Sequence, residues 1–146
     1  MGAFAEFVLA RPEHLATIPE SVEFAPAAAV ALAGLTAWQC LTEVLQVRPG
    51  QRVLIHAGAG GVGHLAIQLA KGLGADVTTT ASSTNHDWLR SLGAEECVDY
   101  RQADFTRVCA PFDAVLDTMG GEMLLRSIRH TQRGGRVVSV GDLPTP

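Results

Sequence analysis

From Arg52 onward, short apolar runs alternate with stretches of helical spacing. Arg52-Val53-Leu54-Ile55-His56 is a continuous apolar run bounded by turn residues, which suits a strand covered on both faces. His64 to Lys71 places apolar residues at helical intervals and closes on Gly72 and Gly74. Asp76 to Ala81 reads as a second strand, and a helix carrying Trp88, Leu89 and Leu92 closes on Gly93. Glu96 to Tyr100 reads as a third strand, residues 102–110 as a weak helix and Phe112 to Asp117 as a fourth strand. Glu122 to Thr131 is a helix and Arg136 to Val140 a fifth strand. This alternation predicts an α/β fold, a Rossmann-like doubly wound parallel sheet in the order 3-2-1-4-5. The full fold has a sixth strand, and Gly141 to Pro146 offers none.

Upstream the pattern changes. Residues 3–10 and 14–18 read as two short strands split by Arg11-Pro12, with no partner in the remaining pattern. A helix opens near Phe24, where Pro26 fits the first turn, and runs to about Gln46 with a break at Gly34. Arg48-Pro49-Gly50 stops it. The apolar run Phe24 to Trp38 is shorter than the ~20 residues of a membrane span, so it reads as a buried helix.

Composition narrows the class. The 146 residues are 47% hydrophobic and 18% charged with a net charge of −4, which predicts a folded chain rather than a disordered one. Acids outnumber bases and no basic run exists, which argues against nucleic acid or an anionic membrane as partner. Cys40, Cys97 and Cys109 are odd in number and widely spaced, which fits free thiols in a cytoplasmic protein rather than a zinc or disulfide framework. Glu6 and Arg11 interrupt the first apolar stretch, so it does not read as a signal peptide.

The chemistry concentrates in Gly58-Ala59-Gly60-Gly61-Val62-Gly63, a G-x-G-x-x-G between an apolar strand and a helix. Gly58 suits a tight turn, Gly60 close backbone approach to a pyrophosphate, and Gly63 close helix–strand packing. The first-turn amides then face the anion along the helix dipole. A P-loop reading fails because His64-Leu65 stands where Lys and Ser or Thr are required. A short-chain dehydrogenase reading fails because the position four after Tyr100 is Asp104, not Lys.

A ribose-binding acid belongs about 20 residues after the glycines in an NAD site. Here the stretch is Thr78-Thr79-Thr80-Ala81-Ser82-Ser83-Thr84-Asn85, and the first carboxylate is Asp87. A carboxylate ~4 Å from a 2′-phosphate costs about 4 kcal/mol per unit charge at an effective dielectric of ~20. Its absence permits NADP(H). Ser82, Ser83 and Asn85 can donate to phosphate oxygens, and Arg90 or Arg101 stands near enough in sequence to contribute.

Several segments together resemble the medium-chain dehydrogenase/reductase superfamily, in its zinc-free quinone oxidoreductase-like branch. They are Gly34-Leu35-Thr36-Ala37-Trp38, Pro49 to His56, Ala59 to Gly63 with Gln68-Leu69-Ala70-Lys71, Leu92-Gly93-Ala94 before Val98-Asp99-Tyr100, Asp113 to Asp117, and Gly134 to Ser139. The resemblance implies hydride transfer from NADPH to a quinone or an activated alkene such as an enone. It also implies a cofactor domain over 21–146, residual strands of an N-terminal β-rich substrate domain over 1–20, and a chain truncated relative to its family. By the same resemblance Gly58, Gly60, Gly61, Val62 and Gly63 hold the pyrophosphate. Thr36, Val140 and Gly141 lie near the nicotinamide and its phosphates. Thr118 and Met119 line the ribose side, and Tyr100 sits at the adenine end. No residue stands out as a general acid, and none supports a metal. An inert dinucleotide-binding module and a zinc-type alcohol dehydrogenase cofactor domain remain as alternatives. Unpaired strand edges predict a homo-oligomer.

Overall fold

Alternate residues of the central strands face opposite ways, and both faces are apolar. Val53 and Ile55 join Val77, Ala114 and Leu116 in one core cluster, while Leu54 and Val115 join Phe105 and Phe112 in another. A strand with this double burial needs helices on both sides. The computed structural model describes residues 5–142 and supplies them. Five strands run parallel in the order β3-β2-β1-β4-β5: β1 Arg52–Ile55, β2 Asp76–Thr80, β3 Glu96–Val98, β4 Phe112–Asp117 and β5 Thr131–Ser139. The helices are α1 Phe24–Gln39, α2 Gly61–Gly72, α3 His86–Ser91, α4 Phe105–Val108 and α5 Gly121–Arg129. The predicted class and strand order are both present.

Some expectations are corrected. β5 begins at Thr131 rather than Arg136, because Gly134 and Gly135 absorb a register shift against Phe112 and Ala114. Gly134 sits at φ 84, and a Cβ on Gly135 would meet the Asp113 carbonyl at 2.7 Å, so glycines are what let the strand continue through the irregularity. β3 stops at Val98, and the weak helix contracts to α4, capped by the Asp104 carboxylate on Thr106 N–H.

Helix α1 does not break at Gly34. It runs on into a π-turn at Cys40–Val44. Gly34 and Ala37 are its buried residues, and with Cys40, Leu41 and Leu45 they form a seam against the sheet and α2. The reading of a buried helix is also corrected. Phe24–Val44 spans 21 residues, and its most apolar 18-residue window has mean hydropathy 1.5 with 22% of that window buried. Leu32, Leu35 and Trp38 face outward.

The two expected N-terminal strands are not strands among the described residues. Arg11 and Leu15 have extended backbone, but the only element there is a 3₁₀ turn at Pro12–His14. An extended segment becomes a strand only when a neighbour takes its hydrogen bonds. Residues 3 and 4 of the first expected strand, and 143–146 of the tail, lie outside the described residues.

Candidate functional site

The sheet's switch point lies between β1 and β4, whose crossovers leave in opposite directions. In such folds the crevice beyond the strand ends at this point holds the ligand. The loop from β1 to α2 fills one side of it. Gly60 occupies the N-cap of α2 and supplies no side chain to cap it, so among the described residues the amides of Gly61, Val62 and Gly63 have no protein partner. Three bare amides at the positive end of a helix of this length form a binding place for an anion.

Backbone packing shapes this cradle. A Cβ on Gly63 would run into the Ala57 carbonyl and lie 2.8 Å from Gly58 Cα, so the helix can approach the strand only with glycine there. A Cβ on Gly58 would strike Thr79 Oγ1 and approach Ile67 Cδ1 at 3.0 Å. Gly58 is therefore required by contact with β2. The left-handed residue of the turn is Ala57, at φ 50. Gly61 has nothing within 4 Å of where its Cβ would be, which leaves open space over the amides. The residues present thus fit a diphosphate.

A cavity of about 400 Å³ opens beside the cradle. Of the sequence-predicted residues, Gly60, Ser82, Asn85 and Tyr100 line it, together with Met119. Thr80 and Met123, which sequence reasoning missed, complete the wall with Ala57, Ala59 and Ala81. Ser82 and Asn85 bond each other, Asn85 Nδ2 donating to Ser82 Oγ (3.1 Å), while Ser83 is exposed. Thr118 stands behind the wall, its hydroxyl donating to the His56 carbonyl (3.0 Å). Val140 and Gly141 follow β5, where Val140 N–H donates to the Asp117 carbonyl (2.9 Å) and a Cβ on Gly141 would meet Gly120 N at 2.6 Å. Thr36 is not brought to either cavity; its hydroxyl is used within α1, on the Leu32 carbonyl (2.8 Å).

A second cavity of about 320 Å³ shares Thr80, Tyr100 and Met123 with the first and adds Arg101, Gln102, Asp104 and Arg126. Asp104 and Arg126 form an ion pair. Hydrogen bonds from Thr106, aided by Arg126, hold the Asp104 carboxyl below its ordinary range against the opposing effect of burial. Of the two arginines singled out in the sequence, Arg90 is tied to Asp87 (3.1 Å). Arg101 forms no ion pair among the described residues and lies over the Tyr100 ring at 5.5 Å.

One carboxylate escaped the sequence reading because it arrives from another strand. Asp99, just after β3, accepts from Ser83 N–H (3.1 Å), Arg101 N–H (3.0 Å) and Gln102 Nε2 (3.1 Å). The Arg101 amide is the largest influence holding its carboxyl below the ordinary range, with burial opposing and Ser83 assisting.

The uncapped glycine turn at the switch point of a 3-2-1-4-5 sheet defines a doubly wound α/β domain of the dinucleotide-binding class. The zinc-binding dehydrogenase family profile matches residues 61–146. The quinone oxidoreductase structure from Coxiella burnetii is 50% identical, covering 83% of this chain and 38% of that one, with a TM-score of 0.79. The trans-enoyl reductase pgmF of Aspergillus terreus is 36% identical over 147 residues, which is 97% of this chain and 41% of that protein. The polyketide synthase GfsB of Streptomyces halstedii is 39% identical over 142 residues, 96% of this chain and 2% of that protein. The chain belongs to the zinc-binding dehydrogenase family, within the medium-chain dehydrogenase/reductase superfamily. It spans about two fifths of the trans-enoyl reductase's length and a small part of the synthase's. Zinc itself finds no donor set among the described residues, where no three His, Cys, Asp or Glu side chains gather.

Proposed function

We propose that this chain is the NADP(H)-binding portion of an oxidoreductase of quinone oxidoreductase or enoyl reductase type, acting on a quinone or an activated alkene. The observation that carries the reading is the α2 N-terminus, left uncapped by Gly60 and closed against any Cβ at Gly63. The nicotinamide, when bound, supplies the hydride. The protein binds and orients it. The amides of Gly61, Val62 and Gly63 hold the diphosphate, Ser82, Asn85 and Tyr100 flank the adenosine half, and Met119 with the Val140-Gly141 strand end flanks the nicotinamide half.

The preference for a 2′-phosphate rests on two features. No acid stands on the β2 end, and Arg101 lines the adjoining cavity without an ion-pair partner among the described residues. The two carboxylates nearby are already engaged, Asp99 by three donors and Asp104 by Arg126. We assign 21–146 to this cofactor domain and 1–20 to the remnant of a separate substrate domain. The unpaired state of Cys40, Cys97 and Cys109 fits a cytoplasmic setting.

Titrating NADPH and NADH against tryptophan fluorescence tests the reading. Trp88 stacks on His64 at the start of α2, with ring centroids 5.8 Å apart, so it reports on the cradle. NADPH is expected to bind more tightly. Equal or reversed affinities defeat the cofactor assignment. A second reading, binding without turnover, is favoured for this chain alone because, among the described residues, Tyr100 is the only ionisable side chain lining the cavity beside the cradle. Sustained NADPH oxidation with a small quinone by this chain would overturn that second reading.

A further inference from the structure

His56 is fully buried just past the end of β1, outside both cavities, yet both its ring nitrogens are engaged. The polarity of these bonds follows from proton counting. Ser127 Oγ on α5 spends its one proton on the Met123 carbonyl (2.8 Å), so toward His56 it can only accept. His56 Nε2 therefore carries the ring proton and donates to Ser127 Oγ (2.9 Å). Nδ1 is then the lone-pair nitrogen and accepts from Thr80 Oγ1 (3.1 Å). Thr80 Oγ1 in turn accepts from the Ala57 N–H (3.1 Å). Phe105 packs edge-on against the imidazole at 4.9 Å and fixes its plane.

The last link matters because Ala57 is the left-handed residue that opens the cradle. Its carbonyl accepts from Gly60 N–H (2.8 Å) and is the surface against which Gly63 packs. The peptide units on either side of Ala57 thus set the heading of the loop that carries the ligand-facing amides. A residue with a Cβ does not hold this conformation by intrinsic preference. Something must fix it, and the tether on its N–H is Thr80.

We propose that His56 is the positioning residue of the cradle. By accepting at Nδ1 it turns the Thr80 hydroxyl so that its lone pair meets the Ala57 amide, and by donating at Nε2 it ties this setting to α5 on the other half of the sheet. Its functional consequence rests on the dinucleotide reading above; its structural consequence does not.

Two near-isosteric substitutions separate this role from simple core packing. Asn places an acceptor where Nδ1 stands, and Gln places a donor where Nε2 stands. H56N keeps the Thr80 side of the relay, whereas H56Q keeps only the Ser127 side. In the whole chain, amide hydrogen exchange at Ala57 is measured against a central-strand amide such as Val115, which registers global loss of stability. Ala57 exchange, so normalised, is expected to rise at least tenfold in H56Q and in T80V and less than threefold in H56N. NADPH dissociation constants should follow the same order, with H56Q at least tenfold weaker than H56N. If H56N and H56Q release the Ala57 amide equally, or neither does, the proposal is overturned. If the exchange pattern holds and even the unsubstituted chain fails to bind NADPH, the positioning role stands and the cofactor reading falls.

Discussion

Two regions of the described chain solve burial in opposite ways. At the strand ends around the cradle, polar groups are drawn inside and matched. His56, Asp117 and Ser127 are fully buried, and among the described residues no buried side-chain nitrogen or oxygen lacks a hydrogen-bond partner. Asp117 alone receives Met119 N–H, Gly120 N–H and the Ser139 hydroxyl. At α1 the reverse holds, since apolar side chains are left outside. Phe24 and Leu32 are 84% and 81% exposed, and Leu9 in the preceding segment is fully so. A helix apolar on every side belongs in an interior. The buried side chains behind the cradle are thus matched internally, whereas α1 is settled along one seam only. The difference predicts where substitutions will hurt.

Short of a charge forced into the core, the largest effect should come from acid, acting on the matched end. Burial pushes the His56 imidazole down to about 4, partly opposed by Asp117 and reinforced by Arg126. The unfolded chain takes up this proton near pH ~6.5. As pH falls from that value towards 4, the unfolded state binds a proton that the folded state refuses, so folding stability drops across that window and levels off below it. The loss attributable to this one group is about 3 kcal/mol. Urea unfolding at pH 7, 5 and 4 should show the unsubstituted chain losing that much more than H56N. Parallel losses in the two chains would mean that the buried imidazole is not the sensor. The Asp104 and Asp99 carboxyls, held below their ordinary range, act in a lower window.

Next come two glycines that look alike in sequence. Gly63→Ala puts a methyl against the Ala57 carbonyl and should cost about 1–3 kcal/mol of stability along with dinucleotide binding. Gly61→Ala meets nothing within 4 Å and removes a helix-weakening glycine, so the fold should hold or gain by up to about 1 kcal/mol. Its methyl nevertheless stands over the anion-binding amides, so NADPH affinity should fall while the melting temperature does not. If affinity and melting temperature fall together in Gly61→Ala, the space over these amides is not where the ligand sits.

Much of this region was legible in the sequence because its signals are local. The glycine spacing, the apolar strand before it and the helix after it all lie between Arg52 and Lys71, and strands alternating with helices after such a glycine turn point to the 3-2-1-4-5 order. What escaped was long-range. His56 reads as a strand end until Thr80 and Ser127, 24 and 71 residues away, close around it. Asp99 looks remote from the β2 loop until sheet pairing sets it beside Ser83. The early part of β5 was missed because Arg133-Gly134-Gly135 carries turn residues where the strand tolerates a bulge. The break assigned to Gly34 failed because a glycine on a helix seam permits close packing as readily as it permits a kink. The N-terminal strands were read from composition, which cannot supply a hydrogen-bonding partner.

The choice between two arginines gives a smaller effect. Arg101→Ala should weaken NADPH about tenfold, below the ~1.5–3 kcal/mol of a charge-assisted hydrogen bond because the side chain is exposed. NADH affinity should move little. Arg90→Ala, whose partner is Asp87, should leave both constants within about twofold. Equal losses for the two cofactors in Arg101→Ala would show that this arginine does not read the 2′-phosphate.

The smallest effect on the isolated chain belongs to the unmatched end. Leu35→Glu and Leu32→Glu place charges on side chains that already face solvent, 55% and 81% exposed, so each should shift stability by no more than about 0.5 kcal/mol. Leu54→Glu, the same exchange at a fully buried strand position, should abolish folding, since an isolated carboxylate cannot be desolvated there. If the outer face of α1 is a surface that seeks cover, the helix substitutions should also lower the self-association of the chain in sedimentation at high concentration, with its melting curve barely moved. A large drop in stability from Leu32→Glu or Leu35→Glu would instead mean that the outer face is already covered within one chain, and the contrast between the two regions would disappear.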